Sequence, residues 1–373
     1  MKRLSSLMGL CSVAGVAVLV AGGGCGPSFL AGPAAGGSTS SATTSTTASS
    51  AGGTGGTGGA AGCTPNACPP DQYCSADTSA CAPCSDVGRF HFGQPIPTGV
   101  TVSTPNTVPL YPRVDEDTGN LYLVARESNQ NHLEIAPVSK SAWSSASPLT
   151  QLAAGMYQDS GPLYLRSPNL LTGLVDDGVA DAGAPVLLFD SDRINIMGKR
   201  RIFAVVLQSG TPKSLNLPDG ASLQSGIAMA MNVSPPRFWW LSGETLSPPL
   251  VTFVATDNAP TPVAITLLDS GCPVISASAP WVTPGGERLL FASPRYATPP
   301  ACAVPDATVT HLYQVPIDAT GQPLDDAGAE LVFPDDLTSV DTTPSLTPNM
   351  CTLLFARTNA LGTDTRIFAA PRD

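Results

Sequence analysis

The 373-residue chain is acidic and sparsely charged, with 29 Asp and Glu against 18 Lys and Arg, a net charge of −11 and only 13% charged residues. That balance argues against nucleic acid or an anionic membrane surface as a partner, because both need clustered cations. With Gly 36 and Pro 37 breaking helix interiors, the short β-rich runs between them point to an all-β protein, long enough for about two domains.

Lys2 and Arg3 open the chain, Leu4–Val20 is largely apolar, and Ala21-Gly22-Gly23-Gly24 leads to Cys25. This order of charged, apolar and small residues predicts a secretory signal over residues 1–24. The apolar run is short and one-sided for a stable span. A cysteine directly after small residues resembles a bacterial lipoprotein signal, although Gly22 stands where that pattern has a larger apolar residue. The resemblance implies lipidation of Cys25, with export and anchoring to the outer membrane, on its periplasmic or external face.

Residues 25–62 are Gly, Ser, Thr and Ala-rich without charge, so they cannot bury a core and read as a tether. Thirty such residues reach roughly 30 Å root-mean-square. A cysteine-rich module at 63–86 follows, with Cys63, Cys68, Cys74, Cys81 and Cys84. In an exported chain this density reads as a disulfide knot, because so small a segment has little core of its own. Cys81-Ala-Pro-Cys84 also has zinc-ligand spacing, but a single pair without a nearby histidine favours disulfides.

From 88 to 373 one unit recurs. Pro112, Pro280 and Pro344 are each followed eleven residues later by Leu123, Phe291 and Phe355. A turn lies between: Asp117-Thr118-Gly119-Asn120, Pro284-Gly285-Gly286, Pro348-Asn349. Looser copies run from Pro162 to Phe189 and from Met229 to Trp240. The five anchors lie 51 to 66 residues apart, with further short strands after each. Four strands per unit of about 50 residues predict a β-propeller of five blades, or six if the long second unit hides another. A sandwich would not explain the recurrence.

WVTPGGERLLFAS (281–293) and SLTPNMCTLLFAR (345–357) resemble the inner strands of the TolB-like (PD40) β-propeller repeat. The turn aspartate of that family is missing from both. The last unit ends at the C-terminus with three strands, so the segment near Phe92–Thr98 is expected to complete it. Loops alternate between the two faces, which pairs Cys84 with Cys351 and Cys272 with Cys302. Cys63, Cys68, Cys74 and Cys81 are left to pair among themselves.

No stretch announces chemistry. His91, His132 and His311 are scattered, and no stretch supplies the base histidine that a serine nucleophile in Asp159-Ser160-Gly161-Pro162 would need, so that segment reads as the turn before an inner strand. Asp115-x-Asp117-x-Gly119-Asn120 offers alternating oxygens, but it sits at a strand-to-strand turn and lacks a distal acidic ligand. Asp325-Asp326 and Asp335-Asp336 read as loop acids. No cofactor or metal is expected. TolB-like propellers serve protein contacts in the cell envelope, so the resemblance implies a non-enzymatic binding platform for an envelope protein or other partner. The alternative is a carbohydrate-active hydrolase using channel-facing carboxylates, with Asp115, Asp159 and Asp341 as candidates.

Overall fold

The computed structural model describes Cys63 and, with internal gaps, residues 68–373; the widest gaps are 244–249, 255–262 and 295–308. The expected signal, Cys25 and the tether lie outside the described residues, as do Cys302 and Asp325-Asp326.

The chain forms an all-β, propeller-like arrangement of five four-stranded antiparallel sheets. Sheet I comprises Val108–Val114, Leu121–Arg126, Asn131–Ala136 and Ser147–Pro148. Sheet II comprises Ser160–Leu165, Val186–Ser191, Arg201–Val206 and Lys213–Ser214. Sheet III comprises Leu223–Ala230, Arg237–Gly243, Leu250–Val254 and Val263–Ala264. Sheet IV comprises Ser278–Val282, Arg288–Pro294, Thr310–Pro316 and Glu330–Leu331. Sheet V comprises Val340–Leu346, Thr352–Thr358 and Thr365–Pro371, and its fourth strand, Ile96–Pro97, arrives from ahead of sheet I. The long connection inside sheet II carries a 3-10 turn at Pro168–Leu171; no further four-stranded sheet appears among the described residues.

The first strands of successive sheets lie against one another, and the first strand of sheet V returns to that of sheet I, so they encircle a common axis. The core is accordingly divided among the sheet interfaces. One cluster joins Tyr122 and Val124 of sheet I to Leu187 and Phe189 of sheet II, and another joins Leu290 and Ala292 of sheet IV to Phe355 and Ala370 of sheet V. The anchors Leu123, Phe189, Trp240, Phe291 and Phe355 are all fully buried. Removing each from water contributes roughly 2–3 kcal/mol.

Each first strand carries a bulge at the same register, on Tyr111, Gly161, Gly226, Ala279 and Thr343, all with φ between 49° and 60°. In four sheets the next residue is proline, which has no N–H to lose where the ladder is broken. In sheet III it is Ile227. The bulge corrects one sequence expectation: Ile227, not Met229, is the counterpart of Pro112, so that hairpin is two residues longer than the eleven-residue spacing suggested.

The cysteine module contributes a short hairpin, Gln72–Ser75 with Ala80–Pro83. Disulfides join Cys63 to Cys74, Cys68 to Cys81, and Cys84 to Cys351. Cys272 falls in a two-residue strand, and its expected bridge to Cys302 lies outside the described residues. The buried Arg372 donates to the Cys84 carbonyl at 3.0 Å and the Asp86 carbonyl at 2.7 Å, tying the chain's end to the module.

Candidate functional site: the channel mouth

The first strands all point the same way, so the turns that follow them crowd one end of the axis. There they surround a cavity of about 410 Å³. Arg113, Tyr164, Asn232, Trp281 and Thr347 come from sheets I to V in turn. The bulge decides which side chains arrive. The second residue beyond it is Arg113, Leu163, Ala228, Trp281 and Ser345 in successive sheets. The three large ones line the cavity, and the two small ones leave it open.

Arg113 is 5% exposed. Its Nη1 donates to the carbonyls of Pro112 at 3.1 Å and Pro344 at 2.6 Å, and the Ser345 hydroxyl also donates to the Pro112 carbonyl at 2.5 Å. Its Nε has no hydrogen-bond partner, and among the described residues no carboxylate pairs with it. Burial pushes the guanidinium down to about 9, opposed by Tyr111.

The turn after this strand is built on Asp115. One carboxylate oxygen of this buried side chain accepts from the backbone N–H groups of Asp117 at 3.0 Å and Thr118 at 2.5 Å; the other accepts from the Thr118 hydroxyl at 2.6 Å. Gly119, at φ 74°, closes the turn. Glu116 and Asp117 are thereby held outward. The Tyr164 hydroxyl donates to Asp117, and Arg166 Nε lies 3.2 Å from the other Asp117 oxygen. Glu116 lines the cavity at its solvent-exposed rim. Its carboxyl is held above the usual range by partial dehydration and then by Asp117, while Arg166 opposes and Asp115 adds to the rise.

The three carboxylates singled out in the sequence do not form a catalytic group. Asp115 staples its own turn. Asp159 and Asp341 precede their bulges by two residues, at the opposite end of the first strands. Six residues of strand separate the two levels, roughly 20 Å. Asp159 binds Arg193 through contacts of 2.5 and 3.1 Å, and Asp341 binds Arg357 through two of 2.7 Å. Periodicity marked strand ends but not which end opens on the cavity.

The remaining candidates are also accounted for. Ser160 donates to Asp190 at 2.8 Å within the start of an inner strand. His91 is exposed, His311 is buried in sheet IV, and His132 lies 3.0 Å from the buried Glu134. Asp336 pairs with Arg357 at 2.7 Å. The sulfurs of Cys63, Cys68 and Cys81 lie within 4.8 Å of one another, but each is spent in a disulfide. Arg113, Glu116 and Trp281 were missed. The signal available was a charged residue, Arg113, at a repeat position that is apolar or small in the other copies.

No protein-family model matches the chain, and no curated protein sequence does. Among solved structures it is similar to TolB from Acinetobacter baumannii (12% identity, TM-score 0.36), over 75% of this chain and 54% of that one, so it spans about half of TolB. It is similar to a GH43 endo-arabinanase from Bacillus licheniformis (12%, TM-score 0.44), over 72% of this chain and 95% of that one. It is also similar to a fructofuranosidase from Schwanniomyces occidentalis (10%, TM-score 0.48), over 74% and 57%. Glycosidases recur among these structures, and on that finding the expectation of a non-enzymatic binding platform is corrected. At such scores the likenesses say nothing about which residues act.

Proposed function

We propose that this protein is a carbohydrate-active hydrolase working at the mouth of a five-bladed propeller channel, carried at 88–373 behind the cysteine module. The observation that carries the reading is the five-sheet cavity lined by Glu116, its carboxyl held above the usual range, with Asp117 next to it on the same exposed turn. Cleaving a glycosidic bond takes one carboxyl that gives a proton to the leaving oxygen and another that directs water or attacks the anomeric carbon. Glu116 suits the first role. Asp117, fixed by Tyr164 and Arg166, suits the second. Water adds across the C–O bond, its hydroxyl to the anomeric carbon and its proton to replace the one given by Glu116. Trp281 supplies a flat apolar wall against which a sugar face can lie.

The test is release of reducing ends from a panel of polysaccharides. Glu116→Gln is expected to lower the rate about 10²–10⁴-fold. Because the acid must be protonated, the wild-type rate falls as pH rises through the raised Glu116 value. An unchanged rate in Glu116→Gln, or no cleavage across the panel, overturns the assignment.

The same proposal places the enzyme on the outer membrane through a lipid on Cys25, once the signal at 1–24 is removed. The tether at 25–62 then holds the propeller off the surface. Cys25→Ser should move the protein from the membrane fraction to the soluble one; retention in the membrane would refute the anchor.

A further inference from the structure

We propose that the channel mouth takes an acidic sugar, a uronate whose carboxylate is received by Arg113. This rests on the glycan reading of the cavity and names its substrate class.

Arg113 is a lining residue of the cavity, yet it is 5% exposed and lacks a carboxylate partner among the described residues. A buried cation without a counter-ion is costly, and the protein normally answers it with a paired acid. Here the protein answers with two backbone carbonyls, both taken by Nη1, while Nε remains without a partner. Backbone carbonyls orient the guanidinium but bring no net negative charge. Burial weakens its hold on the proton, and an arriving carboxylate would restore it.

The neighbours do not supply the missing charge. Glu116 lines the same cavity, but the charges that act on it are Asp117, Arg166 and Asp115, and the one acting on Arg113 is Tyr111. Asp117 is already paired with Arg166. A planar guanidinium offers two parallel donors, the geometry that carboxylates accept in a forked pair. Trp281 and Leu163 provide apolar wall, and Asn232 and Asn169 provide polar groups for hydroxyls. An apolar wall, scattered amide groups and one buried cation match a sugar ring carrying a carboxylate better than a neutral sugar. They also match it better than a bare anion, which would leave the indole wall without use.

The experiment titrates the mature full-length protein with galacturonic acid oligosaccharides of two to four units, with the same oligosaccharides after reduction of their carboxyls, and with inorganic phosphate. Tryptophan fluorescence and calorimetry report binding. The expected result is binding of the acidic series about tenfold or more tighter than the neutral series, the worth of one charged hydrogen-bonded pair. Arg113→Met should abolish the preference, and Arg113→Lys should restore only part of it. Equal binding of the two series overturns the acidic class while leaving the hydrolase reading standing. Failure of both series overturns the two together, and binding of phosphate alone does the same. Should Arg113→Met fail to fold, the wild-type preference decides, and Arg113→Lys, which keeps the charge, tests the residue.

Discussion

Two arginines, one buried and one largely so, separate the parts of this molecule. Arg357, in the second strand of sheet V, meets Asp341 and Asp336 and lies over the rings of Phe333, Phe355 and Phe368 at 5.2 to 5.5 Å. Its charge is answered within the fold. Arg113, at the channel mouth, is oriented by backbone alone. The first belongs to a closed seam, where Asp341 and Asp336 match its charge on folding. The second belongs to a cavity, where the matching is left to a ligand. Both are arginines on inner strands, and only their partners tell them apart.

The seam should yield the largest effect. Cys84–Cys351 closes a loop with a sequence separation of 267 and pins the module to sheet V. In chain-entropy terms its loss costs about 5 kcal/mol. Replacing both cysteines by serine should lower the thermal midpoint while the folded protein keeps ligand binding at the mouth. A midpoint that does not move would show that Arg372 and the Ile96–Pro97 strand hold the seam alone.

Next comes the arginine pair itself. Arg357→Met strands the buried Asp341 and should cost about 3–5 kcal/mol in denaturant unfolding. Arg113→Met strands no carboxylate. It removes a donor from two carbonyls and should cost about 1–3 kcal/mol. Equal losses would erase the distinction between seam and mouth.

The smallest effect lies at His132, away from both. Its hydrogen bond to Glu134 raises its pKa above the usual value, against a partial opposing effect of burial. The resulting stability is complete below the unfolded value near 6.5 and is lost as pH rises through the raised folded value. The side chain is 29% exposed, so about 1 kcal/mol or less is at stake. His132→Gln should flatten the unfolding free energy across that window; an unchanged slope would show that the pair carries no linkage.

How much of this was legible beforehand follows from how each feature is encoded. The anchors recur because an interface between sheets needs a large apolar side chain at one register, and such a need is written in single residues. The strand closing sheet V was legible because the last unit lacked a fourth. The bulges were not, since a positive φ is borne by Tyr111, Ala279 and Thr343 as well as by glycine. Missing them shifted sheet III by two residues and hid the equivalence of Arg113, Leu163, Ala228, Trp281 and Ser345. Asp159 and Asp341 were misread for a related reason: a repeat marks both ends of a strand alike.

The all-β class, the repeat and its anchors were readable from the residues alone, because each rests on local periodicity and on burial that any packed sheet demands. Which end of the first strands opens on the cavity, and that Arg113 meets no carboxylate there among the described residues, emerged from the packing of the sheets. Those depend on residues brought together from sheets far apart in the chain. Whether a charge is paired is a property of that meeting, not of the residue that carries it.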